Sequence, residues 1–213
     1  MRDVELLKKK VKKITKKLYE TYPEATCSLD YMVPHQLLIA TILAAQCTDE
    51  RVNIVTKDLF QKYKGVEDFA NANLEELEQD IKSTGFYRNK AKNIIACCNK
   101  LLKEHGGKVP DNIEALTALP GVGRKTANVV LGNIYGVPGV IVDTHCKRLS
   151  NRLGLTENED PVKIEYDLME ILPKKDWTHF SNCLVYHGRA ICDARKPKCE
   201  ICPVSKECSY FNK

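Results

Sequence analysis

Apolar residues recur at every third or fourth position along most of this chain, the spacing that gathers them on one side of an α-helix. Between residues 4 and 18 the stripe is Val4, Leu7, Val11, Ile14 and Leu18, and lysines (Lys8, Lys9, Lys10, Lys12, Lys13, Lys16, Lys17) fill the other face. That pattern predicts one packed helix with a solvated basic surface. The same period predicts helices over 35–47, 52–60, 74–81, 90–102, 125–134, 162–172 and 177–187. Strand-length alternation is nearly absent, so the expected fold class is all-α. Turns are marked by Gly85, Gly106-Gly107, Pro110-Asp111-Asn112, Gly136-Val137-Pro138-Gly139 and Asp160-Pro161. The 213 residues suffice for one large domain or two lobes, and 136–139 is the expected crossing between lobes.

The longest apolar stretches, 37–45 and 137–142, fall short of the roughly 20 residues that span a bilayer, so no membrane partner is expected. Met1-Arg2-Asp3-Val4-Glu5, followed by lysines, lacks the apolar core of an export signal. Ten cysteines in such a chain point to reduced thiols in a reducing interior rather than to a disulfide framework. A net charge of +5 permits binding to a polyanion without requiring it.

Residues 113–130 read as helix, tight hairpin, helix. Pro120 stops the first helix; Gly121 and Gly123 can take positive φ angles and lack side chains that would hold a ligand off the backbone. Amides at the start of the second helix then face outward, where the helix dipole favours an anion such as a DNA phosphate. A lone Gly-x-Gly is more often a plain turn. The whole string Leu119-Pro120-Gly121-Val122-Gly123-Arg124-Lys125-Thr126-Ala127 resembles the helix-hairpin-helix of DNA repair glycosylases, which holds the phosphate backbone without reading sequence. On that resemblance Gly121, Gly123, Arg124 and Thr126 contact DNA.

With Lys125 just before Thr126-Ala127, and with the run Val142-Asp143-Thr144-His145 downstream, the chain resembles the endonuclease III family. Adenine-mismatch glycosylases share that scaffold but generally lack the lysine. The resemblance implies that Lys125 is the nucleophile and Asp143 the essential carboxylate. An amine at C1′ of deoxyribose yields a Schiff base, which a hydroxyl or carboxylate does not form. The iminium acidifies the 2′ proton and lets the 3′ phosphate leave by β-elimination. A free lysine amine is protonated at neutral pH, so partial burial or a nearby cation such as Arg124 is needed to liberate it. Asp143 is then expected to stabilise the oxocarbenium-like sugar and to assist proton transfer. Without the family pattern, Asp143 reads as the N-cap of a helix beginning at Thr144, and Lys125 as a phosphate-binding or solvated lysine.

Cys192, Cys199, Cys202 and Cys208 are spaced C-x6-C-x2-C-x5-C. Four thiolates this close imply a metal, and spacing alone leaves zinc and a 4Fe-4S cluster open. Following His187-Gly188-Arg189, the spacing is similar to the cluster loop of endonuclease III and of the adenine-mismatch enzymes, which implies one 4Fe-4S cluster in a structural role. No divalent metal is expected in catalysis. Arg195, Lys196 and Lys198 between the first two ligands are expected to grip phosphates. Cys27, Cys47, Cys97, Cys98, Cys146 and Cys183 read as reduced packing residues.

An enzyme that extrudes a nucleotide must fill the gap and wedge the opposite strand. Ala44-Ala45-Gln46-Cys47-Thr48-Asp49 resembles the family segment whose glutamine enters the stack, and Gly85-Phe86-Tyr87 matches the loop whose apolar residue wedges. The family commonly has a serine at Ala44 and an aliphatic residue at Phe86, and both departures bear on lesion preference. Asp49 caps the next helix or joins a proton relay near Lys125; His145 reads as structural or phosphate-contacting.

Taken together, the resemblance implies two helical lobes with an active-site groove between them: a helical-barrel lobe, 28–137, carrying the hairpin, and a second lobe from 1–27 and 138–213 carrying the cluster loop. It implies a monomeric base-excision enzyme acting on double-stranded DNA with damaged bases or abasic sites, removing oxidised pyrimidines and cutting the strand. Compactness and the lack of a targeting extension favour a prokaryotic cytoplasm. Rival readings are an adenine-mismatch glycosylase, which Lys125 disfavours, a thymine-mismatch glycosylase on the same scaffold, and a non-catalytic DNA-binding module, which leaves Lys125 and Asp143 unexplained.

Overall fold

The computed structural model describes residues 3–212, and among them all regular structure is helical. In order these helices are α1 (Val4–Thr21), α2 (Pro34–Leu43), α3 (Asp49–Lys62), α4 (Val66–Ala70), α5 (Leu74–Asp80), α6 (Tyr87–His105), α7 (Ile113–Thr117), α8 (Arg124–Ile134), α9 (Thr144–Leu153), α10 (Pro161–Ile171) and α11 (Trp177–Ala190). None is long and apolar enough to cross a membrane. Their starts are written in short polar side chains: Asp3, Thr48, Asn73, Asn112, Asp143 and Asp160 each accept a first-turn amide. Pro34 and Pro161 open α2 and α10, where their missing N–H costs nothing.

The described residues of Met1–Thr26 and Val137–Lys213 form one compact unit, and Cys27–Gly136 forms the other. In the second unit α2 is buried at every residue from Leu37 to Leu43, and α3, α6 and α8 pack on it. A helix that is apolar all round can only be central. In the first unit α1 packs on α10 and α11, and α9 packs on α11. Val11, Ile14 and Leu18 share its core with Cys146, Leu149, Leu153, Ile164, Leu168, Phe180 and Leu184.

Three expectations change. The helix predicted over 35–47 stops at Leu43, because Gln46 takes a left-handed φ of 54° and Thr48 caps a new helix. Helices α4 and α9 were not signalled by an apolar stripe of their own. The basic face of α1 is solvated at Lys8, Lys9, Lys12, Lys13 and Lys16 but not at its other two lysines. Lys17 pairs with Glu207 at 2.9 Å and Lys10 donates to Ser209 Oγ at 2.8 Å, tying α1 to the C-terminal segment.

Candidate functional site

Helix α7 ends at Thr117, ahead of Pro120, and the chain turns through Gly121 at φ 75°. A Cβ on Gly121 would stand 2.9 Å from Asn93 Cβ, so both backbone and space require glycine there. Gly123 does not use its freedom for positive φ: it is extended, at φ −91° and ψ 175°, and occupies the N-cap of α8. Nothing lies within 4 Å of a Cβ built on it, and it offers no side chain to cap the helix. The approach to the α8 N-terminus is therefore open, the condition an anion needs. Buried Val122 anchors the turn, while buried Ala127, Val129 and Val130 seat α8 on the core.

Arg124, Lys125 and Thr126 form the first turn of α8, and Lys125 is exposed. Cys27 lies close enough to Lys125 and Asp49 to feel both charges. Burial pushes its thiol pKa up, the Leu29 backbone lowers it, Asp49 adds to the rise and Lys125 opposes it. Asp49 accepts a hydrogen bond from Ser28 Oγ. The expected cap role of Asp49 falls instead to Thr48, whose Oγ1 accepts from Arg51 N at 3.3 Å, leaving Asp49 in the first turn of α3. The sequence reads Cys27 as a packing residue; nothing in its linear surroundings marks the charges of residues 49 and 125 that reach it.

Gln46 and Phe86 are the only non-glycine residues with positive φ among the described residues, at 54° and 48°. Both are exposed, Phe86 to 63%, where a core role would have buried it. Phe86 is also the N-cap residue of α6.

In the other unit, Asp143 caps α9: its Oδ1 accepts from Cys146 N at 2.7 Å, with the carboxylate half-buried. His145 is held structurally. Its Nδ1 lies 3.1 Å from Arg148 Nη2, and a Cβ on Gly188 would meet that nitrogen at 2.5 Å. Arg148 in turn donates to the carbonyls of Gly188 and Cys192, at 3.2 and 3.0 Å.

Cys192, Cys199, Cys202 and Cys208 line one pocket, together with Leu149, His187 and Val204. Among the described residues no three His, Cys, Asp or Glu side chains converge on a single point fit for a metal ion; the thiols ring a space instead. Burial and the neighbouring thiols push the Cys199 and Cys202 thiols up. Arg152 holds the rim: Nη1 donates to Cys192 Sγ at 3.3 Å and to Asp193 O at 2.7 Å, and Nη2 donates to Ala194 O at 2.7 Å. His187 Nε2 lies 3.4 Å from Cys202 Sγ. Four sulfurs around a cavity, with an arginine among them and a loop nearly devoid of buried apolar residues, fit an iron-sulfur group. Arg195 and Lys196 are exposed. Lys198 is exposed as well, and its ammonium donates to Ala190 O at 2.9 Å.

Residues 39–174 match the HhH-GPD superfamily base excision DNA repair protein, and residues 192–208 match the iron-sulfur binding domain of endonuclease III. The fold and hairpin thus define a helix-hairpin-helix enzyme of base-excision repair. Endonuclease III of Synechocystis sp. is 57% identical over 90% of this chain and 88% of its own. A trapped endonuclease III-DNA covalent intermediate aligns at a TM-score of 0.93, with 43% identity over 96% of this chain and 97% of that one. A thermostable thymine-DNA glycosylase aligns at 0.86, with 30% identity over 96% and 97%. This chain belongs to the endonuclease III family, whose members are DNA glycosylases and abasic-site lyases with an iron-sulfur cluster.

Proposed function

We propose that this chain removes oxidised or otherwise damaged pyrimidines from double-stranded DNA and cleaves the strand at the abasic site through a Schiff base on Lys125. The observation that carries the reading is the exposed amine of Lys125 in the first turn of α8, on a hairpin whose Gly123 leaves the helix N-terminus open.

Attack of Lys125 Nζ on C1′ forms a C–N bond as the glycosidic bond breaks, and the base leaves with the electron pair and takes a proton. Ring opening gives the iminium. Loss of the 2′ proton sends its electrons into the conjugated system as the C3′–O bond breaks and the 3′ phosphate departs. Water then hydrolyses the imine and frees the amine. Asp143 stabilises the cationic sugar and moves a proton, and Asp49 relays one near Lys125. No divalent metal takes part.

Gln46 fills the vacated stack and Phe86 wedges the partner strand. The hairpin residues Gly121, Gly123, Arg124 and Thr126 hold the phosphates beside the lesion, with Arg195 and Lys196 adding charge. Cys192, Cys199, Cys202 and Cys208 hold one 4Fe-4S cluster. Once bound, the cluster braces a loop too short to fold by apolar burial. The enzyme acts as a monomer in a prokaryotic cytoplasm.

The likeness to the thymine-DNA glycosylase favours a second reading, removal of mismatched thymine. Duplexes carrying thymine glycol, a G:T mismatch, an A:G mismatch or an abasic site decide between them. Release and strand cleavage on thymine glycol and abasic duplexes is the expected result. Activity confined to a mismatch overturns the first reading.

A further inference from the structure

Lys90 stands in the apolar stripe of α6, among Ala91, Ile94, Cys97, Cys98 and Leu101, and is only 4% exposed. A buried ammonium is expensive unless its donors are used, and two of the three are. Nζ donates to Leu43 O and to Thr84 O, each at 2.8 Å, and the Lys90 backbone N–H donates to Phe86 O at 3.1 Å. Burial lowers the pKa of the amine, with Cys47 opposing. Leu43 is the last residue of α2, where carbonyls lack helical partners, and it precedes Gln46 by three positions. Thr84 precedes Phe86 by two. Just beyond either end of this bridge lie Gln46 and Phe86, the two non-glycine positions held at positive φ among the described residues, a conformation that persists only where its surroundings enforce it. All of these residues lie in the unit Cys27–Gly136.

We propose that Lys90 is a positioning residue that ties the Gln46 loop to the Phe86 loop, so that plug and wedge enter the duplex as one rigid pair. The idea rests on the reading of Gln46 and Phe86 as the inserting residues. A hydrophobic side chain would pack in the same stripe but leave both carbonyls without a donor and the two loops free to move separately.

The test compares excision of thymine glycol from duplex DNA with β-elimination at an abasic site in single-stranded DNA, which needs neither plug nor wedge. Lys90→Met is expected to lower duplex kcat/KM by about 10- to 100-fold, the effect of losing charged hydrogen bonds, while single-strand cleavage stays within about twofold. Lys90→Arg, which can reach both carbonyls, restores most of the duplex rate. Added to Gln46→Ala/Phe86→Ala, Lys90→Met slows the duplex reaction no further, because its effect runs through those two residues. Thermal melting certifies folding, and Lys90→Gln replaces Lys90→Met in every comparison if the methionine variant does not fold.

Equal loss on both substrates, full multiplication of the effects in the triple variant, or a Lys90 variant as fast as wild type beside impaired Gln46→Ala and Phe86→Ala overturns the tie alone. Unimpaired duplex excision by Gln46→Ala and Phe86→Ala overturns the insertion reading, and the tie with it.

Discussion

Asp143 Oδ1 accepts the backbone amide of Cys146 at 2.7 Å, so the carboxylate assigned to chemistry is also the cap of α9. The two duties separate by substitution. Asparagine caps a helix about as well as aspartate, so Asp143→Asn is expected to melt close to wild type, whereas Asp143→Ala loses about 1 kcal/mol. Both are expected to lose about 100-fold or more in single-turnover excision, the scale of general acid-base catalysis. An active Asp143→Asn would remove the carboxylate from the mechanism.

The two hairpin glycines should fail in different ways. Gly121→Ala meets a positive φ and the Asn93 side chain, and is expected to cost about 1–3 kcal/mol of stability. Gly123→Ala has room and an ordinary backbone conformation, so it should cost about 1 kcal/mol or less. Its methyl group would nonetheless stand between the α8 amides and a phosphate, and duplex affinity should drop about tenfold, or 1.4 kcal/mol. Chemical denaturation and fluorescence anisotropy on each variant check both halves.

The hairpin, the cysteine spacing and most helices could be read because each is a local pattern: an apolar stripe, a cap, a Pro-Gly turn. The end of α2 could not, since an apolar helix buried on all sides carries no periodic boundary, and the left-handed turn at Gln46 that closes it follows from the surrounding fold. Helix α9 alternates its core residues Cys146, Leu149 and Leu153 with charged and polar ones too sparsely to stand out, and only the Asp143 cap announced it. The charges of Lys125 and Asp49 that reach Cys27, and the bridge from Lys90 to Leu43 and Thr84, join residues distant in sequence. No local rule reaches them.

Cations near the cluster loop should divide by their partners. Arg195 and Lys196 are exposed, and replacing either with alanine is expected to reduce the slope of log affinity against log salt by about 0.9. Lys198→Ala should change it less, because that ammonium is bonded to Ala190 O. Titrations of undamaged duplex at several salt concentrations measure all three, and equal slopes would refute the division.

His35 sets one pH dependence. Its Nε2 is buried without a hydrogen-bond partner, and burial lowers its pKa from the usual 6.5, with a Lys64 backbone contact opposing. The unfolded chain therefore takes up the proton first. The stability linked to the neutral ring is fully present above pH 6.5 and is lost as the pH falls from there toward the folded-state pKa. Between about pH 7.5 and about pH 5.5, wild type is expected to lose more melting temperature than His35→Gln, which lacks this titration. Parallel declines would contradict the assignment.

Lys125 carries the proposed chemistry, and borohydride reduction tests it. Wild-type protein incubated with a thymine glycol duplex and reduced should form a covalent protein-DNA adduct, and Lys125→Ala should form none while still binding the duplex. An adduct formed by Lys125→Ala at the wild-type rate would place the nucleophile elsewhere and contradict the central claim.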